Sequence, residues 1–226
     1  MSPWQQALWE LNTTPAPGAV VWNVAITACG RAKQWQRSLQ LLHQLRARNV
    51  ATAVSFNAAL GACEALGLWQ KTVQLLSELK EERLQESVVT YLTAISACGK
   101  GEEWQSASHL LQEAVRKKVD TVEVYNAAIT AMHRSQQWET ALYLFGQVNE
   151  QKLSDGISIN AALSAIASAG MASGMWQAAL HLICGMPASR LVADLVTQNS
   201  GINAVKSDAW EMALHLFRHG DVTKQT

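Results

Sequence analysis

Charge and proline are both scarce in this sequence. Of its 226 residues only 16% are charged, the 18 Lys and Arg balance the 18 Asp and Glu, and there are four prolines. Low charge combined with 49% hydrophobic residues argues against a disordered chain. The zero net charge excludes a basic field over the whole chain, so any cations for nucleic acid or an anionic membrane must be placed locally.

Paired cysteines and long apolar runs are also missing. The four cysteines form no C-x-x-C pair and have no histidine nearby at zinc-site spacing, which is typical of a reduced, intracellular setting. Polar residues interrupt the apolar stretches well short of the ~20 residues that a membrane span needs. No Ser/His/Asp arrangement, glycine-rich phosphate loop or recurrent carboxylate pair appears. We therefore predict no enzyme and no bound cofactor or metal.

Tryptophan, by contrast, is abundant and evenly spaced. Segments such as WQRSLQLLHQL begin at a Trp and carry apolar residues four, six, seven and usually ten places later, which predicts a helix, called helix B here. Seven of the nine tryptophans mark such segments at intervals of 31 to 38 residues: Trp4, Trp35, Trp69, Trp104, Trp138, Trp176 and Trp210. The third residue after each is small, as close helix packing requires: Ala7, Ser38, Thr72, Ala107, Ala141, Ala179 and Ala213.

A second recurring string precedes the tryptophans. AVSFNAALGAC and its equivalents place apolar residues at i, i+4 and i+7, such as Phe56, Leu60 and Cys63, which predicts a partner helix, helix A. Two helices per period of about 34 residues indicate an all-α solenoid of stacked hairpins. We predict a single helical-repeat domain over residues 1–226. It comprises a partial repeat with helix B alone (1–18), repeats at about 19–52, 53–87, 88–121, 122–155, 156–194 and 195–220, and a tail (221–226).

The hairpin strings resemble the pentatricopeptide repeat. In VEVYNAAITAMHRSQQWETALYLFGQV, helix A is similar to that family's Val-x-Tyr-Asn-x-x-Ile and helix B to its Ala-Leu-x-Leu-Phe, whereas the Trp-Leu-Gly-Tyr pattern of tetratricopeptide repeats is not found. The resemblance covers residues 3–219 and implies a right-handed α-solenoid that binds single-stranded RNA along its concave helix-A face, about one base per repeat. It also implies a role in organelle RNA processing, stability or translation, in a chloroplast or mitochondrion. No targeting peptide is visible, and we expect the chain to start inside a repeat of a longer array.

The resemblance assigns roles to fixed positions of each repeat. The fifth residue of helix A reads the base edge: Asn23, Asn57, Leu92, Asn126, Asn160 and Asn199. It acts with the last residue of the repeat: Thr52, Ser87, Thr121, Asp155 and Asp194. The second residue of helix A packs against the base: Val20, Val54, Val89, Glu123, Ile157 and Val196. The pairs imply, in repeat order, a pyrimidine, cytosine, no preference at Leu92, uracil and uracil, while Glu123 departs from the apolar pattern.

The asparagines suit this chemistry but have an alternative role. Asn offers both a donor and an acceptor to the edge of an unstacked base. It is a mediocre residue inside a helix, so its presence at five of six equivalent positions requires a reason. The alternative reason is structural: these side chains cap or cross-link neighbouring hairpins through backbone hydrogen bonds.

Cations recur near the end of helix A. Arg31, Lys100 and Arg134 stand eight residues after the fifth position, and Lys206 joins them if the sixth turn is one residue shorter. Eight residues rotate a helix about 80° beyond full turns, onto the same broad face as the asparagines. We assign these cations to RNA phosphates, which fix register without reading sequence. Alternatively, they are surface residues favoured by the helix dipole.

A helical-repeat scaffold that binds a protein or peptide in its groove is the alternative function. The neutral charge and Leu92 favour it, whereas the register of asparagine with aspartate opposes it. The cysteines support neither function. Cys29, Cys63 and Cys98 share one helix-A position with Met132 and Ile166, which indicates core packing rather than redox chemistry.

Overall fold

A computed structural model describes residues 2–14, 17–151, 153 and 155–168, together with the isolated helical positions 179, 182 and 199. All regular structure within these residues is α-helical. The chain divides into two compact units, Met1–Asp120 and Thr121–Thr226. Among the helices of the described ranges, none combines the length and the apolar character needed to cross a membrane.

The first unit consists of one helix followed by three hairpins. Its helices are α1 (Pro3–Thr13), α2 (Ala19–Arg31), α3 (Trp35–Ala47), α4 (Ala53–Glu64), α5 (Trp69–Glu81), α6 (Val88–Lys100) and α7 (Trp104–Arg116). The helices A, which are α2, α4 and α6, pack against one another in succession. Each helix A also packs against the helix B before it and the helix B after it. This is the stacking of hairpins that the repeat period predicts.

The second unit continues the same pattern. Its described helices are α8 (Val122–Arg134), α9 (Trp138–Glu150) and α10 (Gly156–Ser168). α8 and α9 form a hairpin, and α10 packs against both. The predicted helix B of the fifth repeat and the whole sixth repeat lie outside the described residues, apart from Ala179, Leu182 and Asn199.

Local signals explain where the helices begin. The first four helices A start at Ala19, Ala53, Val88 and Val122, and the residue before each is its N-cap. Thr52 and Ser87 accept hydrogen bonds from the backbone N–H of Ser55 and Thr90, both at 3.4 Å, in capping boxes. The last residue of a repeat therefore starts the next helix.

The turn inside each hairpin contains one residue in the left-handed region. Gly67 has φ of 66°, and Lys33, Glu102 and Gln136 have φ of 58–59°. After Gly67, the N–H of Leu68 donates to the carbonyl of Cys63 at 3.0 Å, the 6→1 hydrogen bond of a Schellman motif. Helix B then begins at the next residue, Trp69, and equally at Trp35, Trp104 and Trp138.

The core lies between stacked hairpins. The small residues three places after the tryptophans are buried wherever the structure describes them: Ala7, Ser38, Thr72, Ala107, Ala141 and Ala179. Cys29, Cys63 and Cys98 are fully buried and free. Burial raises the pKa of the Cys63 thiol to about 11 and of the Cys98 thiol to about 12. These thiols stay protonated at neutral pH, as core residues without redox chemistry would.

Candidate functional site

Exposed aliphatic side chains occupy the second position of the helices A. In the first unit Val20, Val54 and Val89 are 75%, 62% and 54% exposed, and in the second unit Ile157 is 64% exposed. Single exposed valines are ordinary, but the same exposure at the same position of three successive helices makes a continuous surface feature. Glu123 is exposed at this position of α8, so the departure seen in the sequence is also present on the surface.

The fifth-position side chains lie deeper than the aliphatic ones. Asn23, Asn57, Leu92 and Asn160 are half-buried, and Asn126 is buried. Positions two and five are three residues apart, so they lie on the same helix face, one turn from each other. Asn199 is helical and exposed. The predicted site residues Asp194, Val196 and Lys206 lie outside the described residues.

An open cavity of the first unit brings four predicted site residues together. Val20, Asn23, Arg31 and Val54 all line it, and its volume is about 810 Å³. Aliphatic groups, one amide and one guanidinium therefore border a common space.

A smaller cavity continues this surface towards α4. Its volume is about 260 Å³, and Arg31 and Asn57 are among its lining residues, beside Gly30 and Gly61. Arg31 thus borders both cavities. The predicted base-reading residues of the first two repeats share this one cation, an arrangement that the position-by-position assignment did not anticipate.

In the second unit the predicted pair Asn126 and Asp155 is in direct contact. Nδ2 of Asn126 donates to the two carboxylate oxygens of Asp155 at 3.1 and 3.3 Å. Asp155 is also the residue before α10, and it accepts a hydrogen bond from the backbone N–H of Ser158 at 2.7 Å. Burial by itself raises the pKa of Asp155, but the hydrogen bonds from Ser158 and Asn126 outweigh it and hold that pKa below its usual range. Asp155 is therefore an anion at neutral pH.

Two asparagines also cross-link neighbouring helices A. Thr90 Oγ1 donates to Oδ1 of Asn57 at 2.8 Å in the first unit. Ser158 Oγ donates to Oδ1 of Asn126 at 2.6 Å in the second. The structural alternative considered for the asparagines thus has a physical basis, except that the partners are hydroxyl side chains instead of backbone groups. The amide NH₂ of Asn57 has no partner among the described residues and is available to a ligand.

The predicted phosphate-contacting cations differ in their surroundings. Lys100 forms an ion pair with Glu64 at 2.6 Å, and Ser96 donates to the same carboxylate at 2.8 Å. Arg31 and Arg134 are exposed and have no carboxylate partner in the described part of the chain. A phosphate would have to compete with Glu64 for Lys100 but not for these arginines. Sequence reasoning missed Glu64, which stands 36 residues before its partner.

Metal chemistry has no support at this surface. The described residues contain no group of three or more His, Cys, Asp and Glu side chains placed to hold a metal ion. His133, whose side chain is half-buried in α8, has its pKa lowered by burial and by the neighbouring charge of Arg134. The groups that the predicted site residues offer are aliphatic, amide, hydroxyl and cationic, together with the carboxylates of Glu123 and Asp155.

Comparison with known proteins agrees with the hairpin pattern. The family model described as PPR repeat matches residues 20–50, 54–84 and 89–119. Each match starts at the second residue of a helix A and runs through the following helix B. No match to the chain was found among curated proteins.

Solved structures share the fold. The crystal structure of the pentatricopeptide repeat protein PPR10 from maize has a TM-score of 0.72 and 22% identity over 98% of this chain and 32% of that chain. PPR10 in complex with an 18-nt psaJ RNA element has a TM-score of 0.68 and 21% identity over 99% of this chain and 32% of that one. The chain thus spans about a third of the length of these structures. The likeness confirms the predicted fold class, an all-α solenoid of helical hairpins. The family model thus shows pentatricopeptide repeats at residues 20–50, 54–84 and 89–119, and the likeness to the solved structures shows that the chain shares their hairpin fold.

Proposed function

We propose that this chain binds single-stranded RNA along the face of its helices A that carries the exposed aliphatic row, with about one base per repeat. The observation that carries the proposal is the 810 Å³ cavity lined by Val20, Asn23, Arg31 and Val54. An unstacked base needs an apolar surface for its ring, a hydrogen-bonding group for its edge and a cation near its phosphate. These four side chains supply all three. The fold shared with PPR10, which is solved in complex with an RNA, supports the same proposal.

The proposed preference is for pyrimidines. Family resemblance assigns cytosine to Asn57 with Ser87, and uracil to Asn126 with Asp155 and to Asn160 with Asp194. The contact of Asn126 with Asp155 supports a joint action of the two residues at one base. Leu92 has no hydrogen-bonding group, so the third repeat has no preference. The proposed target is therefore C-N-U-U, in repeat order, after a pyrimidine at the first repeat.

The biological setting is proposed from the family alone. We place the protein in organelle RNA processing, stability or translation, in a chloroplast or a mitochondrion. Binding is non-covalent and needs no cofactor. Stacking contacts of ~1–3 kcal/mol per base over about five repeats make the affinity modest, which fits a chain that forms part of a longer array.

Fluorescence anisotropy with short labelled oligonucleotides tests the proposal. An oligonucleotide containing pyrimidine-C-N-U-U is compared with an A-rich one of equal length, each at 50 and 200 mM salt. We expect tighter binding of the pyrimidine oligonucleotide, and weaker binding of both at the higher salt because phosphate contacts release counterions. Equal and negligible binding of both would refute RNA binding.

Two arginines offer a matched pair of variants for this assay. Arg31 and Arg116 are both exposed and both lie in the last turn of a helix, one a helix A and the other a helix B. Arg31→Ala should weaken binding of every oligonucleotide and lower the salt dependence by about one phosphate contact. Arg116→Ala removes the same charge away from the proposed face and should leave the affinity unchanged. Equal effects would show that binding does not use this face.

A protein or peptide ligand is the second candidate. It is favoured by the row of exposed valines and by the ion pair that engages Lys100 with Glu64. A peptide that packs on Val20 and Val54 would bind with little dependence on salt, because apolar burial is not screened. Failure of both oligonucleotides to bind at 50 mM salt would favour this candidate.

A further inference from the structure

The residue type at the third position of each helix A varies with the fifth residue of the preceding helix A. In chain order the third residues are Ser55, Thr90, Val124, Ser158 and Thr197, and the fifth residues of the preceding helices A are Asn23, Asn57, Leu92, Asn126 and Asn160. A hydroxyl follows every asparagine, and a valine follows the single leucine. Valine differs from threonine mainly by lacking the hydroxyl. The pattern therefore links the hydroxyl to the amide.

Hydrogen bonds form two of these pairs, one in each unit. Thr90 donates to Oδ1 of Asn57 at 2.8 Å, and Ser158 donates to Oδ1 of Asn126 at 2.6 Å. Both donors are fully buried, and leaving a buried hydroxyl without a partner is unfavourable, so the two groups of each bonded pair constrain each other. The pair of the first repeat does not form: the buried Oδ1 of Asn23 has no hydrogen-bond partner among the described residues, and Ser55 Oγ lies 3.1 Å from Thr52 Oγ1 instead.

Helix capping determines that these hydroxyls donate to the amide. The backbone N–H of Ser87 donates to Thr90 Oγ1 at 3.1 Å, and the backbone N–H of Asp155 donates to Ser158 Oγ at 3.4 Å. In these capping boxes each hydroxyl oxygen accepts a hydrogen bond from a backbone N–H, so its own proton is donated to a different group. In the second unit Ser158 Oγ also lies 2.7 Å from Oδ1 of Asp155, so its one proton is shared between that carboxylate and Asn126. In the first unit the amide oxygen of Asn57 receives the proton of Thr90, so this amide turns its NH₂ group away from the hydroxyl.

An amide held in one orientation offers fewer kinds of hydrogen bond to a base than an amide that can rotate. Free Asn presents its oxygen or its nitrogen to a base by rotating through 180°, and so it accepts or donates. With Oδ1 bound to the hydroxyl, Asn57 keeps both N–H donors for a ligand but only one lone pair of Oδ1, an atom that points towards Thr90, and Asn126 uses its NH₂ group towards Asp155 as well. A base opposite such an amide must present an acceptor.

We propose that the third residue of a helix A is a positioning residue for base selectivity, which orients the reading asparagine of the preceding repeat as a donor. This inference rests on the proposed RNA binding. The selectivity of the second repeat then depends on three residues, Asn57, Ser87 and Thr90, the last of which belongs to the third repeat. Thr90 acts through Asn57 and does not itself contact the base.

The orientation is tested first without RNA. Side-chain amide signals of ¹⁵N-asparagine-labelled protein are compared among the wild type, Thr90→Val and Thr90→Ser. We expect Thr90→Val to shift the Asn57 NH₂ signals and to accelerate their exchange with water, and Thr90→Ser to preserve both. Val124 at the equivalent place of α8 shows that a valine is compatible with a helix A. Unchanged Asn57 signals in Thr90→Val would overturn the inference.

Base selectivity is tested second. Affinities are measured for oligonucleotides that differ only at the base facing the second repeat: cytosine, whose N3 accepts a hydrogen bond, against uracil, whose N3–H donates one. Thr90→Val should lower the ratio of the two affinities about fivefold, which corresponds to one lost hydrogen bond, and Thr90→Ser should restore it. Thr72→Val, which removes an equally buried hydroxyl from helix α5, is the control and should leave the ratio unchanged.

The two tests separate the possible failures. Wild-type discrimination that survives in Thr90→Val, or that is lost equally in Thr72→Val, would refute the positioning role. A wild-type protein that binds no oligonucleotide would refute the proposed function, while the amide signals would still decide the orientation of Asn57.

Discussion

In the first unit the helices A and the helices B contact their neighbours through different interactions: close packing for the helices A and ion pairs for the helices B. The helices α2, α4 and α6 carry only three formally charged side chains, and they approach closely at small residues. A Cβ on Gly30 would lie 2.8 Å from the Cβ of Ala62. The helices B are instead connected by long charged side chains: Arg46 pairs with Glu78 and Glu82, and Lys80 pairs with Glu113 at 2.7 Å.

This difference explains why net charge is a poor guide to the site. The helices α3, α5 and α7 carry eight charged side chains against three on α2, α4 and α6, and four of the eight pair with one another: Arg46 with Glu78 and Lys80 with Glu113. The helices A leave valines, amides and a few cations on their surface. Zero net charge therefore does not exclude a local cation. Arg31 has no carboxylate partner among the described residues, and it lines the same cavity as Asn23. The net charge is a sum over all surfaces of the chain and does not describe any one of them.

Alkaline pH should destabilise the helices A most strongly. Burial raises the pKa of Cys63 to about 11 and the pKa values of Cys98 and Tyr91 to about 12. These groups keep their protons in the folded state, whereas in the unfolded chain the thiols lose them near pH 8.5 and the tyrosine near pH 10. Their stabilising contribution is therefore complete below about pH 8.5 and is lost as pH rises towards 12. Urea unfolding at pH 8 and 11 should show a loss of about 6–7 kcal/mol, of which each thiol contributes about 3 and the tyrosine about 1.

The variant Cys98→Ala serves as the control for this pH profile. It removes one of the thiols and should make the alkaline fall shallower, although it lowers stability at pH 8. A flat profile from pH 8 to 11 would contradict the burial of these groups.

Glycine substitutions test the close approach of the helices A. Gly30→Ala should destabilise the first unit by about 1–3 kcal/mol, because its methyl group would collide with Ala62. At Gly61 an added Cβ meets no atom within 4 Å, so Gly61→Ala should stabilise α4 by about 0.5–1 kcal/mol. Urea denaturation compares the two. Shifts of the same sign would mean that helix propensity, and not the approach to Ala62, determines the outcome.

The ion pairs of the helices B should contribute less. Arg46→Ala removes the pairs with Glu78 and Glu82 and the packing of the guanidinium over Phe56, whose ring centroid is 5.8 Å away. We expect a loss of about 1 kcal/mol, since the partners are only partly buried. The loss should shrink in 1 M salt, where screening is strong. Lys71→Ala, at an exposed position of α5, is the control with little expected effect. A loss independent of salt would assign the effect to packing alone.

The smallest expected effect concerns Lys100, the cation of α6, which pairs with the carboxylate of Glu64. Glu64→Gln should free Lys100 from its 2.6 Å ion pair and raise RNA affinity about twofold to threefold, as one added phosphate contact would. Glu81→Gln, on an exposed side chain of α5, makes the same charge change away from the proposed site. Anisotropy titrations at 100 mM salt distinguish them. Equal gains would indicate a general charge effect instead of the release of Lys100.

Local sequence was sufficient to predict the helices. Tryptophans stand at the start of α3, α5, α7 and α9, and a threonine, serine or aspartate precedes α4, α6, α8 and α10, so the residues that mark these boundaries are adjacent to them in the chain. The limits of the repeats themselves were predicted only approximately. Trp22 of α2 is buried, with Arg48 4.9 Å from its ring centroid.

The partners of the site residues could not be predicted in the same way. Thr90 meets Asn57 across 33 residues of chain, and Lys100 meets Glu64 across 36. Both separations are close to the repeat period, but the period alone does not tell which of several nearby positions come into contact. The hydroxyl that follows every asparagine was visible in the sequence. Its role in orienting an amide could be inferred only from the hydrogen bonds in the structure.

The sequence by itself determined the repeat, the helix boundaries, the buried stripe and the order of the candidate reading residues, because each depends on periodicity or on groups a few residues apart. The tertiary structure alone decided which cation is paired, which amide end is bound and where an open cavity remains. Those properties depend on distances between side chains of different hairpins, and such distances are set by how the helices pack rather than by their order along the chain.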